Sequence, residues 1–263
     1  MVQKQDLIVF QDFSILPNNN LKNLVLLTYS LGTSPAWLIQ ALLEAVIFGE
    51  ALSLNERSGE RAGFSNDINS NDTGITLASF VHNQDYMEKH IFNKLKVQKT
   101  KSEKELKMVD LTTSLQIEKL SLIVEKIIEN SNNTKTLILE QPEILLATMS
   151  SLDANALNQQ LVDPLFEAFD TVVVVSNLDF YSPFPRSSKD LQFNKFVQNV
   201  FYKSLVNLNI KPLSTGRAND VTGTLSIVKG GDSGVNTNDK SQNVVENEYL
   251  FFTQRETTKL FYR

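Results

Sequence analysis

The sequence predicts an α/β fold, a mostly parallel central sheet flanked by helices with antiparallel strands at the C-terminal end. Three observations carry this expectation. Short β-branched and leucine-rich runs alternate with longer stretches of helical period along most of the chain. The run TVVVVS at 171–176 has no polar alternation, which places it in the middle of the sheet, covered on both faces. After a helical stretch at 191–205 the pattern changes to short extended pieces separated by turn residues.

The first strands are expected at 7–10, 23–29, 75–80, 106–110, 136–140 and 171–176. Between them, Ser34 is a candidate N-cap and Pro35 fits a first helical turn, after which Leu38, Leu42, Ala45 and Val46 recur on one face. Leu120, Ile123, Val124, Ile127 and Ile128 form a second apolar stripe of the same period. Asp153 is placed to cap a helix carrying Leu157, Leu161, Leu165 and Phe169, and Pro164 inside it predicts a kink or a break into two pieces. The extended pieces at 207–213, 221–229, 246–252 and 259–262 are expected to finish the sheet as antiparallel strands. Segments 55–74 and 230–243, rich in Gly, Ser, Asn and Asp, offer little surface to bury and are expected as mobile loops within a single domain spanning 1–263.

Composition narrows the function classes. With 263 residues, 41% of them hydrophobic, the chain is long enough for one large core. It has no cysteine, which excludes disulfides, thiolate metal sites and cysteine nucleophiles, and predicts an intracellular protein. The start lacks a signal-peptide h-region, and no stretch approaches the about eighteen apolar residues of a membrane span, so a soluble protein is expected. The N-x-S/T matches at Asn71 and Asn132 then read as ordinary loops. A net charge of -5 argues against gripping nucleic acid over the whole surface and leaves room for local basic patches.

The turn SLGTSPAW at 30–37 lies between a strand and a helix, where a nucleotide-binding α/β protein carries its phosphate loop. Such a loop needs glycines, a lysine for the β/γ oxygens and a Ser/Thr for magnesium. Here there is only Gly32, and no lysine or arginine occurs between Lys22 and Arg57. A helix N-terminus supplies only about half a unit of charge, and Pro35 removes one donor. At the end of TLILE, Glu140 stands where a magnesium-holding or water-activating carboxylate would be, although a strand ending in a soluble acidic residue is common and no lysine partners it here. Gly32, Ser34 and Glu140 thus mark a degenerate nucleotide site.

A strand, a degenerate phosphate-loop position, an apolar strand ending in Glu and antiparallel C-terminal strands together resemble the RecA-type ATPase fold. Within it, LILEQPEILL (137–146), VVVVSN (172–177), LVNLNIKPLSTGRANDVTGTLSIVKGG (205–231) and VVENEYLFFTQRETTKLFYR (244–263) resemble the family Elongator complex protein 6. QDLIVFQDFSILP and LASFVHNQDYMEKHIFNKLK also fit, so the resemblance covers most of the chain outside the two loops. It implies a non-catalytic subunit of a hetero-hexameric ring of RecA-like chains, two copies each of Elongator subunits four, five and six. The ring binds tRNA, is associated with ATP hydrolysis and serves wobble uridine (U34) modification, while the radical and acetyl-transfer chemistry belongs to another, catalytic subcomplex. No cofactor is expected on this chain alone, with ATP placed at ring interfaces, and the location implied is cytoplasmic or nuclear. The alternative is an NTP-hydrolysing enzyme with an unconventional site. A dinucleotide enzyme would need a richer glycine pattern than Gly32 alone.

By the same resemblance, the loop 177–190 faces the ring opening. It offers Tyr181 and Phe184 for stacking on bases and Arg186 and Lys189 for phosphates, or it is an ordinary surface loop. Residues 94–107 carry six lysines against two glutamates and read either as a second RNA contact or as a solvated face. His82 and His90 do not have the spacing of a helical metal pair and are expected to be structural. Trp37, at the head of the first helix, fits the core, which is expected, or an interface. Arg217, Lys229 and Arg263 are candidates to act on a neighbour's nucleotide or plain surface charges.

Overall fold

The structure, a computed structural model, describes residues 22–48, 51–54, 74–92, 105–116, 119–132, 134–216, 218–234, 244–254 and 257–262. The expected strand at 7–10, most of the loops at 55–74 and 230–243, most of the lysine run and both Arg217 and Arg263 lie outside these residues.

Nine strands form one sheet: β1 (Asn23–Tyr29), β2 (Ile75–Ser79), β3 (Leu106–Asp110), β4 (Thr136–Glu140), β5 (Thr171–Asn177), β6 (Val206–Pro212), β7 (Gly223–Lys229), β8 (Asn247–Thr253) and β9 (Thr258–Tyr262). Their order is β3-β2-β4-β5-β1-β6-β7-β8-β9. Strands β1 to β6 run parallel, and β6 to β9 are joined antiparallel. The first C-terminal piece therefore differs from expectation. Strand β6 pairs in parallel with β1, Val25 against Val206, and only its other edge begins the antiparallel ribbon. The apolar run at β5 does lie between β4 and β1, with Val172 to Val175 all fully buried.

Two layers of helix cover the sheet. On one face lie α1 (Ala36–Phe48) and α2 (Gln84–Met87, continued by a π turn, Glu88–Phe92), packed on Val25, Leu27, Leu77, Val173, Val175 and Leu208. The other face carries α3 (Leu120–Ser131), α4 (Ile144–Thr148), α5 (154–168) and α6 (Ser188–Lys203), over Leu24, Leu26, Leu137, Leu139, Val172 and Val174. Alternate residues of the same strands thus feed two separate cores.

Helix α1 is buried almost all round, including Trp37, which packs on Phe251 with centroids 4.9 Å apart. Leu38 and Leu42 are core as expected, whereas Ala45 and Val46 are only half-buried, because the helix is wrapped on more than one side. On α3, Ile123, Val124 and Ile127 are buried but Ile128 is 43% exposed, one position past the edge of the stripe. In α5, Asp153 caps the helix by accepting from the Ala156 N–H, and Leu157, Leu161, Leu165 and Phe169 are core. The run around Pro164 is divided as expected, into α-helical pieces Ala154–Leu157 and Asp163–Ala168. A π-helical turn, Asn158–Val162, joins them, so that Pro164 falls in the first turn of Asp163–Ala168, where a missing N–H costs little.

Candidate functional site

All the parallel strands end at the same edge of the sheet, so the segments following β1, β2, β4 and β5 meet there. The residues expected to mark a degenerate site, Gly32, Ser34 and Glu140, lie on two of those four segments. After β1, Ser30 turns the chain: the Thr33 N–H and Oγ1 both donate to the Ser30 carbonyl, at 3.1 and 2.7 Å. Gly32 takes φ +91°, a conformation that disfavours any side chain. Ser34 fills its expected place, its Oγ accepting from the Ala36 N–H at 3.3 Å.

The Leu31 N–H in this turn donates to Asp179 Oδ1 at 2.8 Å. A backbone donor that a phosphate loop would aim at its ligand is here taken by a carboxylate of the chain itself, from the segment after β5. Asp179 is in turn held in an Asx turn, its N–H donating to Asn177 Oδ1 at 2.9 Å.

More negative charge surrounds this point. Tyr29, the last residue of β1, accepts at its hydroxyl a hydrogen bond from Gln141 Nε2. Burial pushes the Tyr29 hydroxyl far above its ordinary pKa, and the facing carboxylates of Glu140, Glu143 and Asp179 push it further. Gln141 itself sits at φ +53°, a left-handed bend that swings Pro142 and Glu143 under the end of β5. There Glu143 Oε1 accepts from the Asn177 N–H at 2.7 Å, and the Ser176 hydroxyl is buried beside the same carboxyl. Burial raises the Glu143 carboxyl from an ordinary 4.5 to about 7, against the opposing pull of the Asn177 amide, its own backbone N–H and the Ser176 hydroxyl.

Glu140, one strand over from β5, is 3% exposed. Its Oε2 accepts from Ser79 Oγ at 2.6 Å and is 2.9 Å from His82 Nδ1. The carboxylate is fastened to the end of β2, and β5 separates it from β1, roughly 10 Å across the sheet. A triphosphate does not fit these residues. The turn brings no lysine or arginine, one of its donors is occupied, and three carboxylates face the adjacent tyrosine.

The expected RNA-facing residues occupy a well-braced segment. After a single 3-10 turn, Leu178–Phe180, the Asn194 side chain grips both backbone groups of Ser182, and Phe180 stacks on Phe193 at 5.1 Å. Phe184 projects outward, 81% exposed, Tyr181 is 39% exposed, and Arg186 is exposed. The loop ends earlier than its expected boundary at 190. Ser187 and Asp190 form a capping box, so Lys189 belongs to the first turn of α6, and its Nζ donates to the Ala147 carbonyl at 3.0 Å. Lys229 lies at the opposite edge of the sheet, beside Val206 at the start of β6.

His82 and His90 are linked in a way their spacing did not reveal. The Tyr86 ring lies between them, with centroids 4.1 Å from His82 and 4.4 Å from His90. Among the described residues, no group of three or more His, Cys, Asp or Glu is arranged to hold a metal ion.

Comparisons with known proteins agree with this geometry. Flagellar accessory protein FlaH from Methanocaldococcus jannaschii superposes with a TM-score of 0.56 at 10% identity, covering 100% of this chain and 97% of that one. The KaiC-like protein PH0186 from Pyrococcus horikoshii OT3 gives 0.50, also at 10% identity, over 91% and 90%. These likenesses establish a RecA-like fold. No family model matches the sequence. Elongator complex protein 6 of Saccharomyces cerevisiae is 35% identical over 281 aligned positions, spanning 100% of this chain and 99% of the yeast protein. The chain belongs to the Elongator complex protein 6 family.

Proposed function

We propose that this chain is a non-catalytic RecA-like subunit of a hetero-hexameric ring within the Elongator complex, supporting tRNA binding and wobble uridine modification. Its partners on this reading are Elongator subunits four and five, the catalytic subcomplex and tRNA, in the cytoplasm or nucleus. Nucleotide, where the ring uses it, is held at subunit interfaces with groups from the partners. The observation that supports this most directly is the Leu31 N–H bonded to Asp179 in a turn without a cation. A chain that fills its own phosphate position keeps the shape of the fold for assembly. Glu140, tied down by Ser79 and His82, is poorly placed to activate water, which weighs against the NTP-hydrolysing alternative.

The test is a titration of magnesium-ATP into the purified chain and, separately, into the chain assembled with subunits four and five. No binding by the chain alone is expected. Micromolar binding with turnover by the isolated chain, abolished by Glu140→Gln, would overturn the proposal. For the RNA role, Arg186→Glu with Lys189→Glu is expected to weaken tRNA binding by the assembled ring and flatten its salt dependence. Unchanged affinity and slope would remove the loop after β5 as a contact.

A further inference from the structure

The turn after β1 and the segment after β5 together present a carboxylate beside exposed apolar side chains. Leu31, at the tip of the turn, is 82% exposed and belongs to neither core. Its backbone is nonetheless fixed: Thr33 donates twice to the Ser30 carbonyl, the Leu31 N–H donates to Asp179 Oδ1, and Gly32 completes the bend at φ +91°. Phe180 follows Asp179, stacks on Phe193 and is still 42% exposed. Asp179 is exposed, bonded within the chain through Oδ1 alone, and paired with no lysine or arginine among the described residues. Burial, then Glu140, Glu143 and Asp179, push the neighbouring Tyr29 hydroxyl upward, so the charged groups acting at the end of β1 are all carboxylates. Lys211, near the end of β6, lies across β1 from Asp179, and Arg186 and Lys189 lie further along the segment after β5.

We propose that Leu31, Asp179 and Phe180 form an interaction surface for a neighbouring protein chain that brings an arginine or lysine flanked by apolar side chains. The inference rests on the ring assembly proposed above and names the chemistry of one of its contacts. Charge complementarity selects the occupant. The second oxygen of Asp179 remains an acceptor in a neighbourhood of carboxylates, which repels phosphate and attracts a cation. A guanidinium or ammonium head satisfies that oxygen while its aliphatic stem covers Phe180 and Leu31. Because the turn is already braced, burying Leu31 against a neighbour costs little further ordering. The polarity expected of a phosphate loop is thereby inverted: this turn carries its own anion and meets a cation from outside. The surface is separate from Phe184 and Arg186, the candidates for RNA further along the segment.

The experiment measures association of the full chain with Elongator subunits four and five by analytical ultracentrifugation, over a series of salt concentrations. Wild-type association should weaken as salt rises. Asp179→Asn keeps an oxygen for the Leu31 N–H and loses the charge, so association should weaken by about 30-fold or more and its salt dependence should flatten. Leu31→Ala should weaken association by about 5- to 30-fold with the salt dependence unchanged. Since Leu31 is exposed, the urea midpoint of that variant alone should match the wild type, which separates a lost contact from a lost fold. Asp179→Asn associating as tightly as the wild type, with the same salt dependence, overturns the cationic occupant and leaves the ring reading standing. A loss of tRNA affinity with assembly intact overturns it too, marking an RNA contact. If the wild type does not associate with subunits four and five at all, the ring reading itself fails, and the inference with it.

Discussion

Glu143→Gln tests whether the edge of the sheet carries the electrostatic load described above. The Glu143 carboxyl is fully buried, and its pKa rises from 4.5 in the unfolded chain to about 7 in the fold. A carboxyl with a raised folded pKa binds more protons when native than when unfolded. Stability is therefore largest below pH 4.5 as far as this group is concerned, and it falls as pH rises through about 7. At about 1.4 kcal/mol per tenfold change, the ionised side chain costs the fold about 3 kcal/mol at pH 8. Glu143→Gln removes the charge and keeps an oxygen to accept the Asn177 N–H. Urea unfolding of both proteins at pH 4, 5, 6, 7 and 8, which bracket the transition, should give near-equal stabilities at pH 4. The variant should then gain with pH, approaching 3 kcal/mol at pH 8. A difference that stays constant across the series, or a variant less stable at pH 8, would refute the argument that burial sets this group's behaviour.

Two further substitutions probe what braces the site. Ser187→Ala breaks the capping box of α6 and should cost about 1 kcal/mol, with faster amide exchange confined to the helix start and the segment before it. Gly230→Ala would place a Cβ 2.0 Å from the Ser204 carbonyl oxygen, so a loss of about 2 kcal/mol is expected in the same urea assay, with strands β6 and β7 displaced.

Much of the architecture was legible because parallel strands announce themselves. Runs such as 171–176 have no polar alternation, and the order of strands and helices follows from hydrophobic period alone. The absence of a cation in the turn at 30–37 was equally plain. What fills its place was hidden, because Asp179 lies 148 positions from Leu31 and reaches it only through the neighbouring of β1 and β5. The same holds for Glu143 under Asn177 and for His82 against Glu140, contacts made between segments that share an edge and nothing in local sequence. Tyr86 could have been noticed midway between the two histidines, at four-residue spacing from each. Pro164 announced the division of its helix, but periodicity did not show that the two pieces are joined through a π turn. Ile128 looked like core since the width of a buried stripe depends on what covers it.

The bond from Leu31 to Asp179 also bears on reversibility. On the non-catalytic reading proposed above, regaining nucleotide would require a lysine in the turn, removal of the competing aspartate, and release of Glu140 from its two tethers. Each step taken alone leaves either a stranded cation or an empty donor, with no benefit until all are present. If the proposed non-catalytic role is right, these contacts act as a ratchet, holding such a lineage to its dependence on neighbouring chains.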